Sequence, residues 1–492
     1  MLSPKGIWKV ITASSVGTLI EWYDFYIFGS LSTIIAQKFF PSTNPTAALL
    51  STLATFAAGF IVRPFGALVF GRLGDMIGRK YTFLLTLVLM GISTFLIGLV
   101  PSYASIGAWA PILVLLLRLL QGLALGGEYG GAATYVAEHA PANRRGFYTS
   151  WIQTTATLGL FLSLSVILIT RKITGVEEFT NGNGWRYPFL LSIILVVVSI
   201  IIRLKMQESP LFSRLKGEGK TSRNPLKESF GRKENFKMVL LALFGATMGQ
   251  GVIWYTGQFY AQSFLLTKCN IEYEQANTIV LIALLLATPF FVVFGSVSDK
   301  WGRKNIMLAG MLLGVLFYRP IFQQLYSIAD TSKKIVVTKE LKSNGLNAGM
   351  QTSVSQSTVT LFDDETRLTT IEKQVPDGPA QTTKEIILSE GSKWKMIFFI
   401  ATMVLFVTMV YGPIAAFLVE LFPTRIRYTS MSLPYHIGNG VFGGLVPFIA
   451  TLITTLPGSN HLSGLWYPVT VAAICFIIGA LYLPDKTHNI SE

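Results

Sequence analysis

The sequence predicts an all-α polytopic membrane protein of twelve transmembrane helices, in two pseudo-symmetric halves of six, with one extra segment outside the bilayer. Apolar residues make up 51% of the 492 residues and charged residues only 13%, about half the share found in soluble proteins. The apolar residues come in blocks of about 20, the length a helix needs to cross a bilayer. A charged loop motif occurs once in each half. This composition excludes a disordered chain, and two cysteines cannot support a disulfide scaffold of this size.

Twelve apolar segments follow one another along the chain. The first begins after Lys5 and Lys9, is too long for a signal peptide and contains two acids, so we expect it to be retained as a span. Glycines and prolines inside several segments are compatible with membrane helices, because neighbouring helices satisfy the freed backbone groups. The segments lie near residues 8–36, 48–70, 81–100, 111–137, 147–170, 186–204, 237–262, 273–294, 305–327, 395–419, 428–454 and 464–483.

Basic residues predict the orientation of these spans. The net charge of +14 is better explained by Lys and Arg in cytoplasmic loops than by nucleic-acid binding, since basic patches interleaved with aromatics are absent. With the N-terminus in the cytoplasm, the short outer loops hold few basic residues, namely Lys38, Arg171, Lys172, Arg186 and Lys268. Both termini are then cytoplasmic. A cytoplasmic linker at 205–236 joins an N-terminal half, 1–204, to a C-terminal half, 237–492.

One outer loop is much longer than the others. Residues 328–393 separate the ninth and tenth spans, and loops beyond about 60 residues escape the charge rule. Apolar and polar residues alternate at Lys334–Lys339 and Thr352–Leu361, which favours a small periplasmic unit with β-strands. A disordered polar insert is the alternative.

The two halves carry the same pair of motifs. Residues 71–80 (GRLGDMIGRK) and 295–304 (GSVSDKWGRK) both fit G-x-x-x-D-x-x-G-R-K and follow the second and eighth spans. Glu138-x-x-Pro and Glu420-x-x-Pro, each followed by two arginines, come after the fourth and tenth spans. The two copies of the second motif are farther apart than those of the first. Residues 328–393 are therefore an insertion into a duplicated six-span unit.

The repeated loop resembles the signature of the major facilitator superfamily. Within that superfamily, the chain is similar to the bacterial metabolite:proton symporters at residues 21–26 (EWYDFY), 63–66 (RPFG), 118–122 (RLLQG) and 126–130 (GGEYG). The resemblance implies two parallel repeats with a substrate site between them at the membrane midplane. It also implies transport of 2-oxoglutarate, citrate, shikimate or proline and betaines together with protons.

The repeated loops are predicted to act as gates at the cytoplasmic rim. Asp75 and Arg79 belong to the first copy, and Asp299 and Arg303 to the second. An Asp at one helix end and a basic pair at the next can bridge neighbouring helices in one conformation and separate in the other. Static anchoring by positive charge is the alternative.

Five charges lie inside the predicted spans. Glu21 and Asp24 are three residues apart and share a helix face. At 1.5 Å per residue, Arg118 falls at their depth and Arg63 at the depth of Glu128. A charge at the bilayer centre costs at least ~2.5 kcal/mol, so each needs a partner or a function. We predict that Glu21 or Asp24 carries the proton, with Glu128 as the next candidate, and that Arg118 binds a carboxylate of the substrate. Arg63 and Glu128 are predicted to form an ion pair. Purely structural ion pairs are the alternative for each of these two groups of charges.

The seventh span carries amides and aromatic residues on one face of an apolar helix. Gln250, Trp254 and Gln258 recur every four residues, with Tyr255 beside them. This pattern favours a water-filled cavity, and interhelical hydrogen bonding is the alternative. The predicted substrate-binding set is Arg118, Tyr23, Gln153, Gln250, Trp254, Tyr255 and Gln258.

The sequence predicts neither an enzyme nor a metal or cofactor site. The glycines of the fourth span form overlapping G-x-x-x-G steps suited to close helix packing, and the phosphate-loop-like residues 219–221 lack the required first glycine. We therefore expect a secondary transporter of the bacterial inner membrane that takes up a small organic acid or zwitterion with protons. An efflux carrier of the same fold is one alternative. A transport-derived receptor, whose insertion senses a ligand or a periplasmic partner, is the other.

Overall fold

The computed structural model describes residues 4–41, 44–77, 79–127, 129–204, 225–344, 355–373, 381–422 and 426–484. Helices make up most of these residues, as the fold class requires. Within them, ten helices are long and apolar enough to cross a membrane. Two more complete the predicted twelve: a helix whose apolar part is the shorter Leu84–Leu99, and the first helix, which carries Glu21 and Asp24.

The N-terminal half consists of six spans. They are α1 (Pro4–Ser30, continued by Ser32–Phe39), α2 (Pro45–Ile61 and Arg63–Ile77), α3 (Arg79–Leu99), α4 (Trp109–Gly126 and Tyr129–His139), α5 (Arg145–Thr174) and α6 (Tyr187–Leu204). Short helical turns in the connections are Tyr103–Ile106, Ala142–Arg144, Val176–Thr180 and Gly184–Arg186. Of the predicted linker, residues 205–224 lie outside the described residues, and Pro225–Phe230 forms a short helix.

The C-terminal half also consists of six spans. They are α7 (Lys233–Thr267), α8 (Tyr273–Ala287 and Pro289–Trp301), α9 (Arg303–Ala329), α10 (Glu390–Tyr411 and Ile414–Leu421), α11 (Arg427–Ile453) and α12 (Trp466–Tyr482). Short turns at Thr331–Lys333 and Ser463–Leu465 belong to the connections. Wider π-helical turns interrupt α7 at Leu243–Thr247 and Thr256–Tyr260, and α11 at His436–Gly443. Such turns are frequent at functional sites.

Glycines let α4 pack directly on α2, as the G-x-x-x-G steps predict. A Cβ at Gly122 would lie 1.8 Å from the carbonyl oxygen of Gly59, and one at Gly126 would lie 2.1 Å from that of Arg63. Any side chain at these positions would force the two helices apart. α7 and α11 cross as closely, since a Cβ at Gly251 would lie 2.5 Å from the carbonyl oxygen of Gly438.

The long insertion forms a four-stranded antiparallel sheet in the order β1-β2-β3-β4, which confirms the strand prediction. The strands are β1 (Val336–Asn344), β2 (Ser355–Phe362), β3 (Arg367–Lys373) and β4 (Gln381–Ile387). The sheet lies between α9 and α10, on the face opposite the one where α1 begins. We call the first face the terminal face and the other the insert face.

The sheet is attached to the turn between α7 and α8. The Ile386 N–H donates to the carbonyl of Asn270 at 2.7 Å, and the Glu272 N–H donates to the carbonyl of Ile386 at 2.8 Å. The side-chain amide of Gln275 bonds both the N–H and the carbonyl of Leu388, at 2.8 and 3.0 Å. Two hydrogen bonds of β4 and two of the following Leu388 therefore join the sheet to the turn between α7 and α8 and to the start of α8, in addition to the covalent chain.

Candidate functional site

A chain of polar side chains runs through the middle of the bundle. Gln250 of α7 donates to Asn439 of α11 at 3.3 Å, and Asn439 donates to the hydroxyl of Tyr435 at 3.1 Å. That hydroxyl lies 2.8 Å from the hydroxyl of Tyr411 on α10. All four side chains are buried. The predicted polar face of α7 thus continues into α10 and α11.

The same network crosses into the N-terminal half. The ring of Tyr435 stacks on that of Tyr129 in α4, with centroids 3.5 Å apart and planes within 4°. Gln153 of α5 donates to the hydroxyl of Tyr129. Nearer the insert face, Gln258 of α7 donates to Thr157 of α5 at 3.3 Å. Polar contacts between the halves therefore meet at the centre, where this architecture places its substrate.

Aromatic rings from both halves line the same region. Tyr26 of α1 stacks on Trp22, at 4.9 Å between centroids, and on Trp254 of α7, at 5.5 Å. Tyr255 meets Phe60 of α2 edge to face at 5.0 Å. The predicted residues Trp254 and Tyr255 therefore contact the opposite half directly.

Several polar atoms of this cluster are buried without a hydrogen-bond partner within the described residues. They are Oε1 of Gln153, Oε1 of Gln250, Oε1 of Gln258 and Nε1 of Trp254. Leaving such an atom unsatisfied costs about 1–3 kcal/mol. A bound solute or water can satisfy these groups, so the cluster has the polar character of a binding site.

Arg118 is enclosed within the N-terminal half. Its guanidinium carbon lies 4.1, 4.7 and 4.9 Å from the ring centroids of Phe25, Phe28 and Phe56. Its Nη1 donates to Gln121 at 2.7 Å and to the carbonyl of Phe25 at 3.4 Å, while Nη2 donates to the carbonyl of Phe56 at 3.4 Å. These contacts tie α1, α2 and α4 together and leave only Nε without a partner.

Arg63 lies close to Arg118. Its guanidinium carbon lies 4.4 Å from the ring centroid of Phe25, the same ring that Arg118 contacts at 4.1 Å. The predicted division of the buried charges into two layers stays a prediction. Glu128, its expected partner and the third proton-carrier candidate, lies outside the described residues.

Glu21 and Asp24 are both buried in α1, each with 1% of its surface exposed. Within the described residues, Oδ1 of Asp24 has no hydrogen-bond partner, and Glu21 lies within electrostatic range of it. In the same part of the chain, no contact joins Asp24 to Arg118. The two acids are therefore buried near each other in α1.

Tyr23 is set apart from the central cluster. It is fully buried, and its hydroxyl donates to the carbonyl of Pro188 at 2.9 Å. Pro188 belongs to α6, so the bond fixes α1 to α6 inside the N-terminal half. The tyrosines that do reach the centre, Tyr129, Tyr411 and Tyr435, were not singled out from the sequence, although residue 129 lies in the quoted GGEYG segment.

At the terminal face, Asp299 joins the two halves. Its carboxylate oxygens accept from the backbone N–H groups of Gly146 and Phe147, both at 2.9 Å, at the first turn of α5. Arg303 holds Asp299 at 2.6 Å and Glu420 at 3.1 Å. This is the contact expected of a gate, since it caps a helix of the opposite half.

The first copy of the loop is described only in its backbone. Asp75 lies near the end of α2 and Arg79 begins α3, while their side chains lie outside the described part of the structure. Their gating role therefore stays a prediction.

At the insert face, a second set of contacts joins the halves. Arg171 of α5 pairs with Glu272 at 3.1 Å, and Tyr273 of α8 donates to the carbonyl of Ser30 at 3.3 Å. The Arg171 guanidinium carbon also lies 5.0 Å from the ring centroid of Tyr273. The sequence offered no signal for this pairing, because the two charged residues are 101 positions apart.

Comparison with known proteins places these features in context. A family model described as "Sugar (and other) transporter" matches residues 9–238. The inner membrane metabolite transport protein YhjE of Escherichia coli is 31% identical over 98% of this chain and 95% of its own length. The α-ketoglutarate permease of the same organism is 30% identical over 97% and 94%. A proline/betaine transporter of Salmonella typhimurium is 36% identical over 62% of each chain, so that match spans less than two thirds of either protein.

Solved structures show the same fold. The proton:xylose symporter XylE, bound to 6-bromo-6-deoxy-D-glucose, superposes with a TM-score of 0.70 over 99% of this chain and 98% of its own, at 16% identity. A partially occluded inward-open form of the xylose transporter XylE from E. coli gives a TM-score of 0.66 at 17% identity.

Proposed function

The chain belongs to the major facilitator superfamily of membrane transporters, and we propose that it takes up a small organic acid or zwitterion together with protons. The observation that carries the proposal is the central cluster of buried, partly unpartnered polar groups between the two halves. Contacts between the halves close this cluster on both faces, through Asp299 on one and Arg171–Glu272 on the other. In alternating access the two sets of contacts break in turn.

The relatives support a carboxylate-bearing substrate. They are named for proline and betaine, α-ketoglutarate and shikimate, all of which carry a carboxylate. We propose that Gln153, Gln250, Trp254, Tyr255 and Gln258 contact the substrate through their unpartnered or inward-facing polar atoms. We propose that Tyr23 and Arg118 instead hold the N-terminal half together, through the hydrogen bonds of the Tyr23 hydroxyl and of Nη1 and Nη2 of Arg118.

The acid pair of α1 is the proposed proton carrier. Two buried carboxylates within electrostatic range repel each other when both are charged, and protonation of either one removes that repulsion. Release of that proton toward the cytoplasm would couple the proton gradient to net uptake.

The orientation follows from the charge distribution. We propose that both termini face the cytoplasm of a bacterial inner membrane and that the sheet faces the periplasm, in keeping with the inner-membrane relative. Thr338→Cys in the exposed β1 should react with an impermeant maleimide in intact spheroplasts, whereas Lys300→Cys should react only after lysis. The reverse pattern would overturn this topology.

Transport in proteoliposomes tests the function. Labelled 2-oxoglutarate, shikimate and glycine betaine should be screened for uptake with and without an inward proton gradient. Accumulation of at least one should require the gradient, and Asp24→Asn or Glu21→Gln should exchange that solute without accumulating it. Asp363→Asn, the same chemical change at an exposed position of the sheet, should behave as the native protein. Gradient-driven loss of solute instead of uptake would identify an efflux carrier.

A further inference from the structure

We infer that Arg63, rather than Arg118, binds the carboxylate of the substrate. This inference rests on the proposed function and names the residue that selects anions and zwitterions over neutral solutes.

Arg63 is 1% exposed, and both its Nε and its Nη2 lack a hydrogen-bond partner. These two N–H groups lie on the same edge of the planar guanidinium and point in parallel. That edge is the fork that binds the two oxygens of a carboxylate. Within the described residues no carboxylate pairs with Arg63, so these two buried donors can bind the oxygens of a carboxylate.

Arg118 cannot offer the same fork. Its Nη2 is directed to the carbonyl of Phe56 and its Nη1 to Gln121, which leaves Nε alone on the side-on edge. Three phenylalanine rings also cover its guanidinium. A substrate would have to break the packing of α1, α2 and α4 to reach it.

The surroundings of Arg63 place it at the boundary between the halves. Its guanidinium carbon lies 5.4, 4.4 and 4.1 Å from the ring centroids of Trp22, Phe25 and Phe60. These rings come from the N-terminal half and fix the side chain by cation–π contact. Arg63 also begins the second segment of α2, directly after the break at Val62.

The opposite half faces Arg63 with polar aromatic groups. Tyr255, Tyr411, Tyr435 and His436 of α7, α10 and α11 all lie within electrostatic range of the guanidinium, together with Tyr26 of α1. Both ring nitrogens of His436 are buried without a partner. A carboxylate on the Arg63 fork would therefore meet hydroxyl or imidazole donors from the C-terminal half, and its binding would draw the halves together.

The test compares each solute with its methyl ester, which lacks the carboxylate charge; for 2-oxoglutarate the dimethyl ester is used. Binding of 2-oxoglutarate, shikimate and glycine betaine to the purified native protein identifies the tightest solute, and its methyl ester serves as the matched probe. The native protein should prefer the free carboxylate. Arg63→Gln should lose about 100-fold in affinity for it and should bind acid and ester alike, because the charged fork is gone. Arg63→Lys should keep a weakened preference, because an ammonium provides charge without the fork.

Arg118→Lys is the matched control for charge and burial. It should retain the preference for the acid to within about threefold, whatever its effect on thermal stability. A native-like preference in Arg63→Gln, or loss of the preference in Arg118→Lys with Arg63 intact, would overturn the assignment. If the native protein binds and transports none of the three solutes, the proposed function fails and this inference fails with it.

Discussion

Replacing Asp299 by Asn should open the terminal face of the transporter. The native carboxylate accepts two backbone N–H groups of the opposite half, both at 2.9 Å, and the Arg303 guanidinium at 2.6 Å. An amide oxygen in the place of Oδ1 can still accept from Gly146 and Arg303, but the NH₂ group then faces the N–H of Phe147. One charged hydrogen bond and the favourable charge at the start of α5 are then lost.

The size of the effect follows from these contacts. A hydrogen bond to a charged group contributes about 1.5–3 kcal/mol, and an acid at a helix N-terminus about 0.3–1 kcal/mol. A combined loss of about 3 kcal/mol shifts the ratio of closed to open molecules by roughly 150-fold. Part of the contact between the halves survives, because Arg145 of α5 still pairs with Glu420 of α10 at 4.0 Å.

Distance measurements between spin labels can detect this shift. Asn143→Cys and Lys300→Cys place one label in each half, beside a cavity of about 580 Å³ at this face, in a background where Cys269 and Cys475 are Ser. The variant should show a larger fraction of long distances and an unchanged substrate affinity, since Asp299 lies away from the central cluster. Asp363→Asn is the control. A distance distribution identical to that of the native protein would refute the gating role.

Three further predictions concern the packing of α4 on α2, the Arg171–Glu272 contact at the insert face, and the pH dependence of the docked sheet. Gly122→Ala should lower the thermal unfolding temperature and the yield of folded protein, at a cost of about 1–3 kcal/mol, because its Cβ would lie 1.8 Å from a backbone oxygen of α2. Gly391→Ala, with open space around the new methyl group, should leave both unchanged. Arg171→Gln should raise the reactivity of a cysteine at Ser30 toward a soluble maleimide, since it removes the 3.1 Å pair with Glu272, whereas Lys172→Gln should not. Burial and the neighbouring Glu272 raise the pKa of Glu385 above its ordinary value of 4.5, against the opposing effect of Arg171. Glu385 therefore binds its proton more tightly in the docked sheet than in the undocked chain. The docked sheet loses stability as the pH rises above the ordinary pKa of a glutamate. Glu385→Gln should slow hydrogen exchange in β4 at pH 7 and flatten its pH dependence, while the exposed Glu340→Gln should not.

Much of the fold could be predicted because membrane spans and strands leave periodic signals in the sequence. The twelve segments, the close packing of α4 and the strands of the insertion all depend on local patterns of this kind. In each of these cases the decisive information lies within one segment of the chain. The repeated loop also directs attention to Asp299, which the structure places at a contact between the halves, and its gating role stays a prediction.

The site was harder to predict because it depends on where long side chains end. Backbone depth cannot show which guanidinium N–H groups have partners, and only the structure shows that Nε and Nη2 of Arg63 lack one within the described residues while Nη1 and Nη2 of Arg118 have one. The Tyr129–Tyr435 stack and the Arg171–Glu272 pair join residues far apart in sequence. No helical or strand period encodes such contacts, so they emerge only from tertiary packing.

The sheet also alters how this molecule can be observed. Six-helix repeats of a 54.1 kDa membrane protein look alike in projection, and a detergent micelle hides most of their outline. The four strands lie on one face only and therefore break that symmetry. The hydrogen bonds of Ile386 and Gln275 fix the sheet to α8 and to the turn between α7 and α8. An antibody fragment bound to β2 and β3 would therefore serve as a rigid fiducial for particle alignment. The angle between the bound fragment and the micelle, measured in each particle image, would show how far the C-terminal half has rotated.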